Sequence, residues 1–212
     1  MKHDAIIFDI DGTLWNASQA SAIGWNNGLA KLNIDFRVTV AQIEGVAGNP
    51  YEKCIDILLP GLREQYPGLS DTLNSCEIEV VKTVGGTFYD GVLEGINTLA
   101  DSYKIFLVSN CQDWYMKLFL QFSRLEPILA GYDCHGMSGQ PKHEMFAGLI
   151  SRFALKHPVY VGDTDGDQKS ACLAGIDFIH AAYGFGLPDN KTASYASFPA
   201  VVAHLQDTKE WH

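Results

Sequence analysis

The chain has 212 residues, 47% of them hydrophobic and 19% charged, which suits a globular protein with one substantial core, or a core and a smaller insertion. Its formal net charge is −10, from 25 acidic against 15 basic residues. No Lys/Arg run breaks that acidity, so nucleic-acid binding has no electrostatic footing, and the plain meaning of the charge is solubility.

At the N-terminus, MKHDAIIFD has too short an apolar run, too soon followed by charge, for a secretory signal. No stretch reaches the ~18 apolar residues of a membrane span. The expectation is a cytoplasmic protein, monomer or homodimer, with no membrane or nucleic-acid partner. The five cysteines are odd in number and include no CxxC, so free thiols are expected rather than a zinc site or redox dithiol. The histidines form no metal-binding pair.

In chain order, the first predicted element is a buried strand, AIIF (5–8), which runs into Asp9, Asp11 and Gly12. The next convincing strand, KIFLVS, begins only at residue 104. A parallel crossover needs about a dozen residues, so roughly seventy are surplus. They read as helices: NASQASAIGWNNGLAKLNI, with Asn16 or Ser18 as cap; NPYEKCIDILL, with Pro50 in its first turn; and LSDTLNSCEIEVVKTV. After Gly85-Gly86 the alternation resumes. A helix over 91–102 precedes KIFLVS, and CQDWYMKLFLQFSR follows it. Then come a weak strand near 131–136, a helix in KHEMFAGLISRFAL, the strand PVYVG (158–162), a helix in DGDQKSACLAG and the strand DFIHAA (177–182). Strands alternating with helices predict an α/β fold with a Rossmann-like parallel-sheet core, residues 1–14 and 87–212, and an inserted α-helical cap, residues 15–86.

Function in such a sheet gathers at the C-terminal strand ends. Four polar sets fall there: Asp9, Asp11, Gly12 and Thr13; Ser109 and Asn110; Lys142; and Asp163 with Asp167. Singly, each is a cap, turn or solvated residue. Together, four converging carboxylates demand a cation, and an all-oxygen site suits Mg²⁺ shared with a phosphate. Lys142 adds a second positive charge, and Ser109 and Asn110 sit where backbone N–H groups cradle phosphate oxygens. The pattern points to phosphoryl transfer.

In that order, DIDGT, VSN, Lys142 and VGDTDGD resemble the haloacid dehalogenase superfamily of phosphohydrolases over nearly the whole chain. The insertion after DIDGTLW resembles that superfamily's small helical cap of the first type. VYVGDTDGD…AGIDFIHAAYGFG is similar to its phosphoglycolate-phosphatase-like members. One departure is that Pro141 precedes the motif lysine and His143 follows it, where relatives often carry proline after the lysine. The resemblance implies a Mg²⁺-dependent phosphatase acting on a small phosphate ester. Asp9 is then the nucleophile that forms an aspartyl-phosphate, and Asp11 the general acid and base. Asp9, the Asp11 carbonyl and Asp163 hold Mg²⁺. Asp167 orients that set or Lys142, and Gly12, Thr13, Ser109 and Asn110 bind the phosphate.

Rivals on the same scaffold are a phosphomutase and a phosphonatase; the latter needs a cap lysine, for which Lys31, Lys53 and Lys82 are present. A dehalogenase lacks the second aspartate supplied by Asp11. A non-catalytic binder has no use for the intact set, and a dinucleotide site lacks G-x-G-x-x-G. In the cap loop GVAGNPYEK (45–53), Asn49 and Lys53 either contact the leaving group or serve as cap and solvated side chain. Trp25, Trp114 and Tyr115 at helical spacing read as packing, and Cys111 as filler. The loop around 183–190 either borders the pocket or turns into the last helix.

Overall fold

The structure, a computed structural model, describes residues 3–187 and 192–207. A six-stranded parallel sheet forms its centre, in the order β5-β4-β1-β6-β7-β8. The strands are β1 (Ala5–Phe8), β4 (Lys104–Ser109), β5 (Leu129–Cys134), β6 (Pro158–Gly162), β7 (Asp177–Ala181) and β8 (Ala193–Tyr195). Alternate residues of β1 feed opposite faces, as a period of two requires. Ile6 and Phe8 join a core with α6 (Val92–Ala100), α7 (Asp113–Ser123) and α11 (Phe198–Asp207). Ala5 and Ile7 join a second core with α9 (Lys142–Phe153) and Ala171 of α10 (Asp165–Ala174). The chain is therefore the doubly covered α/β sheet that its alternation predicts.

Between β1 and β4 lie α1 (Ser18–Lys31), α2 (Val40–Val46), α3 (Tyr51–Leu58), α4 (Leu62–Gln65) and α5 (Leu69–Val84). They bury a cluster of their own, with Trp25, Leu29, Ile55 and Leu73 at its centre. Helices α1 and α5 pack along each other. The chain enters and leaves this helical unit through a two-stranded antiparallel ribbon, β2 (Trp15–Asn16) against β3 (Thr87–Phe88). Trp15 is fully buried, with Tyr115 and Phe119 edge-on to its ring. The remaining short helices are a 3₁₀ turn over Glu126–Ile128 and α8 (His135–Ser138).

Three local readings change. The strand expected near 131–136 runs Leu129–Cys134, and its last two expected residues open α8. Neither Asn16 nor Ser18 is the N-cap of α1; that position is Ala17, although the Asn16 side chain accepts the Ser18 N–H at 2.8 Å. Pro50 is the N-cap of α3 rather than a residue of its first turn.

Strand order fixes where chemistry can sit. From β1 the chain moves out to β4 and β5, then returns to the other side of β1 at β6. The sheet therefore opens a crevice beyond the C-terminal ends of β1 and β6. Phe8 pairs with Val161 on one side and Leu107 on the other, so Asp9, Asp163 and Ser109 emerge together at that edge.

Candidate active site

Asp9 follows β1 directly, and its N–H extends the ladder to the Val161 carbonyl at 2.9 Å. Its side chain is buried, with Oδ1 accepting from Lys142 Nζ at 3.1 Å. Lys142 opens α9 and reaches the site as a fully covered amine. It donates to Asp167 Oδ1 at 2.6 Å and to the Tyr160 hydroxyl at 2.9 Å. The Tyr160 hydroxyl donates in turn to Asp167 Oδ1 at 2.9 Å.

Asp167 also closes a capping box on α10. Its Oδ2 accepts from the Thr164 N–H and hydroxyl at 3.0 and 2.7 Å, while Thr164 Oγ1 accepts the Asp167 N–H. Both of its oxygens are thus engaged, so its geometry fits a residue that positions Lys142. Asp163 accepts from Thr13 Oγ1 at 3.3 Å and from the Phe185 N–H at 2.7 Å. The Tyr183 hydroxyl donates to the Thr13 carbonyl at 2.9 Å, so residues 183–185 border the carboxylates. Residues 188–190 of that loop lie outside the described part. Gly12 has φ +76°, and a Cβ there would meet Asp163 Oδ2 at 2.1 Å; only glycine allows this approach.

The electrostatics follow from burial. Removal from water pushes Asp9 up to about 7, against the pull of Lys142 and with the nearby Asp167 charge adding to the rise. Burial likewise lifts Asp163 to about 8, helped by Asp167 and Asp9. Asp11 rises to about 7 by burial, although a hydrogen bond from the Tyr115 hydroxyl to its Oδ1 holds it down. Asp167 is held low by Lys142 and Thr164 against its own burial. Carboxylate oxygens of Asp9, Asp163 and Asp167 lie within 4.8 Å of one another. One lysine among this many carboxylates leaves net negative charge in a dry place, which a divalent cation with hard oxygen preference relieves. The donor set therefore fits Mg²⁺.

Above the carboxylates a cavity of about 100 Å³ runs from Asp9 and Asp11 toward the helical unit. Ser109, Asn110 and Asn49 line it, while Lys53 is exposed and lies off its wall. Asn49 donates to the Val46 carbonyl at 2.9 Å rather than capping α3. Asn110 donates through Nδ2 to the Gly48 carbonyl at 2.7 Å and leaves its Oδ1 buried without a partner.

Tyr115 does more than pack: its ring joins the core, and its hydroxyl holds Asp11. Trp25 and Trp114 pack as expected and also line the cavity, while Tyr160, which holds Lys142, and Glu77 carry no signal in the sequence. At helical spacing an aromatic ring that packs and one that carries a hydroxyl into a site look alike in sequence. Only the place of Tyr115, in the first turn of the helix after Asn110, gave a usable signal.

A family model for haloacid dehalogenase-like hydrolases matches residues 6–181. The chain belongs to that family. As a haloacid dehalogenase-like hydrolase it has structural relatives over nearly its whole length. A predicted phosphoglycolate phosphatase from Haemophilus somnus superposes with a TM-score of 0.82 at 18% identity, covering 97% of this chain and 99% of that one. A predicted phosphatase from Clostridium acetobutylicum gives 0.80 at 16% identity, with the same coverage. A HAD-superfamily hydrolase of subfamily IA from Geobacter sulfurreducens gives 0.69 at 16%, covering 96% and 97%. At such identities these show the shared fold. No curated protein matches the sequence.

Proposed function

We propose that this hydrolase is a Mg²⁺-dependent phosphatase that cleaves a small phosphate monoester through an aspartyl-phosphate on Asp9. The observation that carries the reading is the buried set of Asp9, Asp163 and Asp167 around Lys142, at the foot of a cavity that also reaches Asp11. Relatives named as phosphatases support it.

In this reading an Asp9 carboxylate oxygen attacks phosphorus as the ester P–O bond breaks. Asp11 gives its proton to the departing alkoxide, then takes one from the water that attacks the aspartyl-phosphate and releases phosphate. A carboxyl lifted to about 7 can carry that proton both ways near neutral pH. Tyr115 fixes its orientation. Lys142 pulls Asp9 toward its ionised form against burial and offsets charge on the transferring group, held by Tyr160 and Asp167. Bound at Asp9, Asp163 and the Asp11 carbonyl, Mg²⁺ would neutralise the phosphoryl oxygens. Ser109 and Asn110 receive the phosphate, beside Gly12 and Thr13. Lys31, Lys53 and Lys82 are all exposed and off the cavity wall, so nothing favours carbon–phosphorus cleavage through a cap amine.

Asp9→Asn tests the reading. Turnover of a phosphate ester should fall by many orders of magnitude, since the covalent path is lost. Rapidly quenched wild type should carry an acid-labile phosphate on Asp9. A variant retaining a tenth of the rate would remove Asp9 from that role.

A further inference from the structure

Glu77, on α5, also lines the cavity, and its setting is unusual. Glu77 is 5% exposed, yet among the described residues no lysine, arginine or histidine pairs with it. Its Oε2 accepts the Trp25 indole N–H at 2.8 Å, and the Ser21 and Tyr51 hydroxyls also bind it. A carboxylate taken out of water without a cation is unfavourable unless something supplies the charge. Trp25, Tyr51 and Trp114 line the same space. Trp114 is fixed by its indole N–H on Asn74 Oδ1 at 2.8 Å.

The cavity wall thus has two unlike parts. At one, Asp9, hydrogen-bonded to Lys142, and a bound metal would meet phosphate. At the other stand a carboxylate with no cationic partner, the Tyr51 hydroxyl and aromatic rings. No lysine or arginine lines it among the described residues. A leaving group that carries a carboxylate, such as glycolate, would face Glu77 with nothing to neutralise either charge. An ammonium group meets the opposite situation: Glu77 as counter-ion, Tyr51 as acceptor, and ring faces that attract cations.

We propose that Glu77 is the specificity determinant of this enzyme, selecting phosphate esters of small amino alcohols and rejecting esters with acidic leaving groups. The proposal rests on the phosphatase reading above for the phosphate end of the substrate.

The test compares 2-aminoethyl phosphate, ethyl phosphate and phosphoglycolate, with p-nitrophenyl phosphate as a generic ester, all with Mg²⁺. Wild type should favour the aminoethyl over the ethyl ester by ten-fold or more in kcat/KM, with phosphoglycolate last. Glu77→Gln should cut the aminoethyl-to-ethyl ratio at least ten-fold. Calorimetric titration of Asp9→Asn should give the same order of affinities without turnover, and needs no change at Glu77. Equal treatment of the esters, preference for phosphoglycolate, or an unchanged ratio in Glu77→Gln would overturn the proposal. Hydrolysis of p-nitrophenyl phosphate without ammonium preference removes only the role of Glu77. Selective binding of the aminoethyl ester by a protein that hydrolyses none of the four removes only the phosphatase reading.

Discussion

Tyr115 is the residue whose effect on the chemistry is most direct after the aspartates. Its hydroxyl lowers the pKa of Asp11 against the rise from burial, so Tyr115→Phe should raise it further. More Asp11 then stays protonated at high pH, and the alkaline limb of kcat/KM should move upward. The freed carboxyl also loses its orientation, and kcat near neutrality should drop about ten-fold, within the range general acid–base catalysis supplies. An unshifted limb would mean that Asp11 does not donate the proton. Lys142→Met makes a different prediction. Breaking a buried ion pair costs about 3–5 kcal/mol, because the carboxylates left behind have no compensation. Activity should vanish and Tm fall sharply, as calorimetry would show. At this scale Asp9, Asp11 and Asp163 are legible because a charge has no cheap reason to follow a buried strand, and Lys142 because it completes the set in chain order. Glu77 was not legible, because an acid in a cap helix is ordinarily a solvated one.

Among the elements, the loop from Ala47 to Pro50 adds to the β2–β3 ribbon and the Trp114–Asn74 bond a further link between the helical unit and the sheet edge. Gly48 has φ +80° and a carbonyl held by Asn110, with Thr164 facing its missing side chain. An alanine there takes on left-handed strain of about 1–2 kcal/mol. Gly48→Ala should therefore speed amide exchange across α2 and α3 and lower kcat/KM. Tm should move by only a few degrees, at about 2–4 °C per kcal/mol in a chain of this size. Unaltered exchange would mean that the loop does not secure the join. The long periodic helices and the fully buried strands were readable at this level, since burial imposes their patterns. Helices α2 and α4 bury one residue or none, so no apolar stripe marks them. Strand β8 is three mostly exposed residues at the sheet edge, which carries no signal either.

For the molecule as a whole, the buried carboxylates make stability depend on pH and on metal. Asp9, Asp11 and Asp163 sit at about 7, 7 and 8, above the ordinary carboxylate value, so between about pH 4 and 8 the folded state holds more protons than the unfolded. Without metal, stability should decline as pH rises through that window. Mg²⁺ prefers the ionised groups, so its stabilising effect should grow over the same range. Thermal melts from pH 5.5 to 8, in EDTA and in excess Mg²⁺, would show the two curves diverging; parallel curves would deny the cation this site. The order of strands in the sheet has one more effect, and it falls on the nascent chain. The central strand, β1, is made first, while its two neighbours lie about a hundred and a hundred and fifty residues downstream. At roughly 5–20 residues per second, the ribosome leaves AIIF without its second partner for about 8–30 s. The helical unit is complete well before then and has its own core. Synthesis should therefore yield a folded cap tethered to a bare, apolar strand, and trigger-factor-like holdases should bind stalled chains ending before Pro158 far better than finished ones.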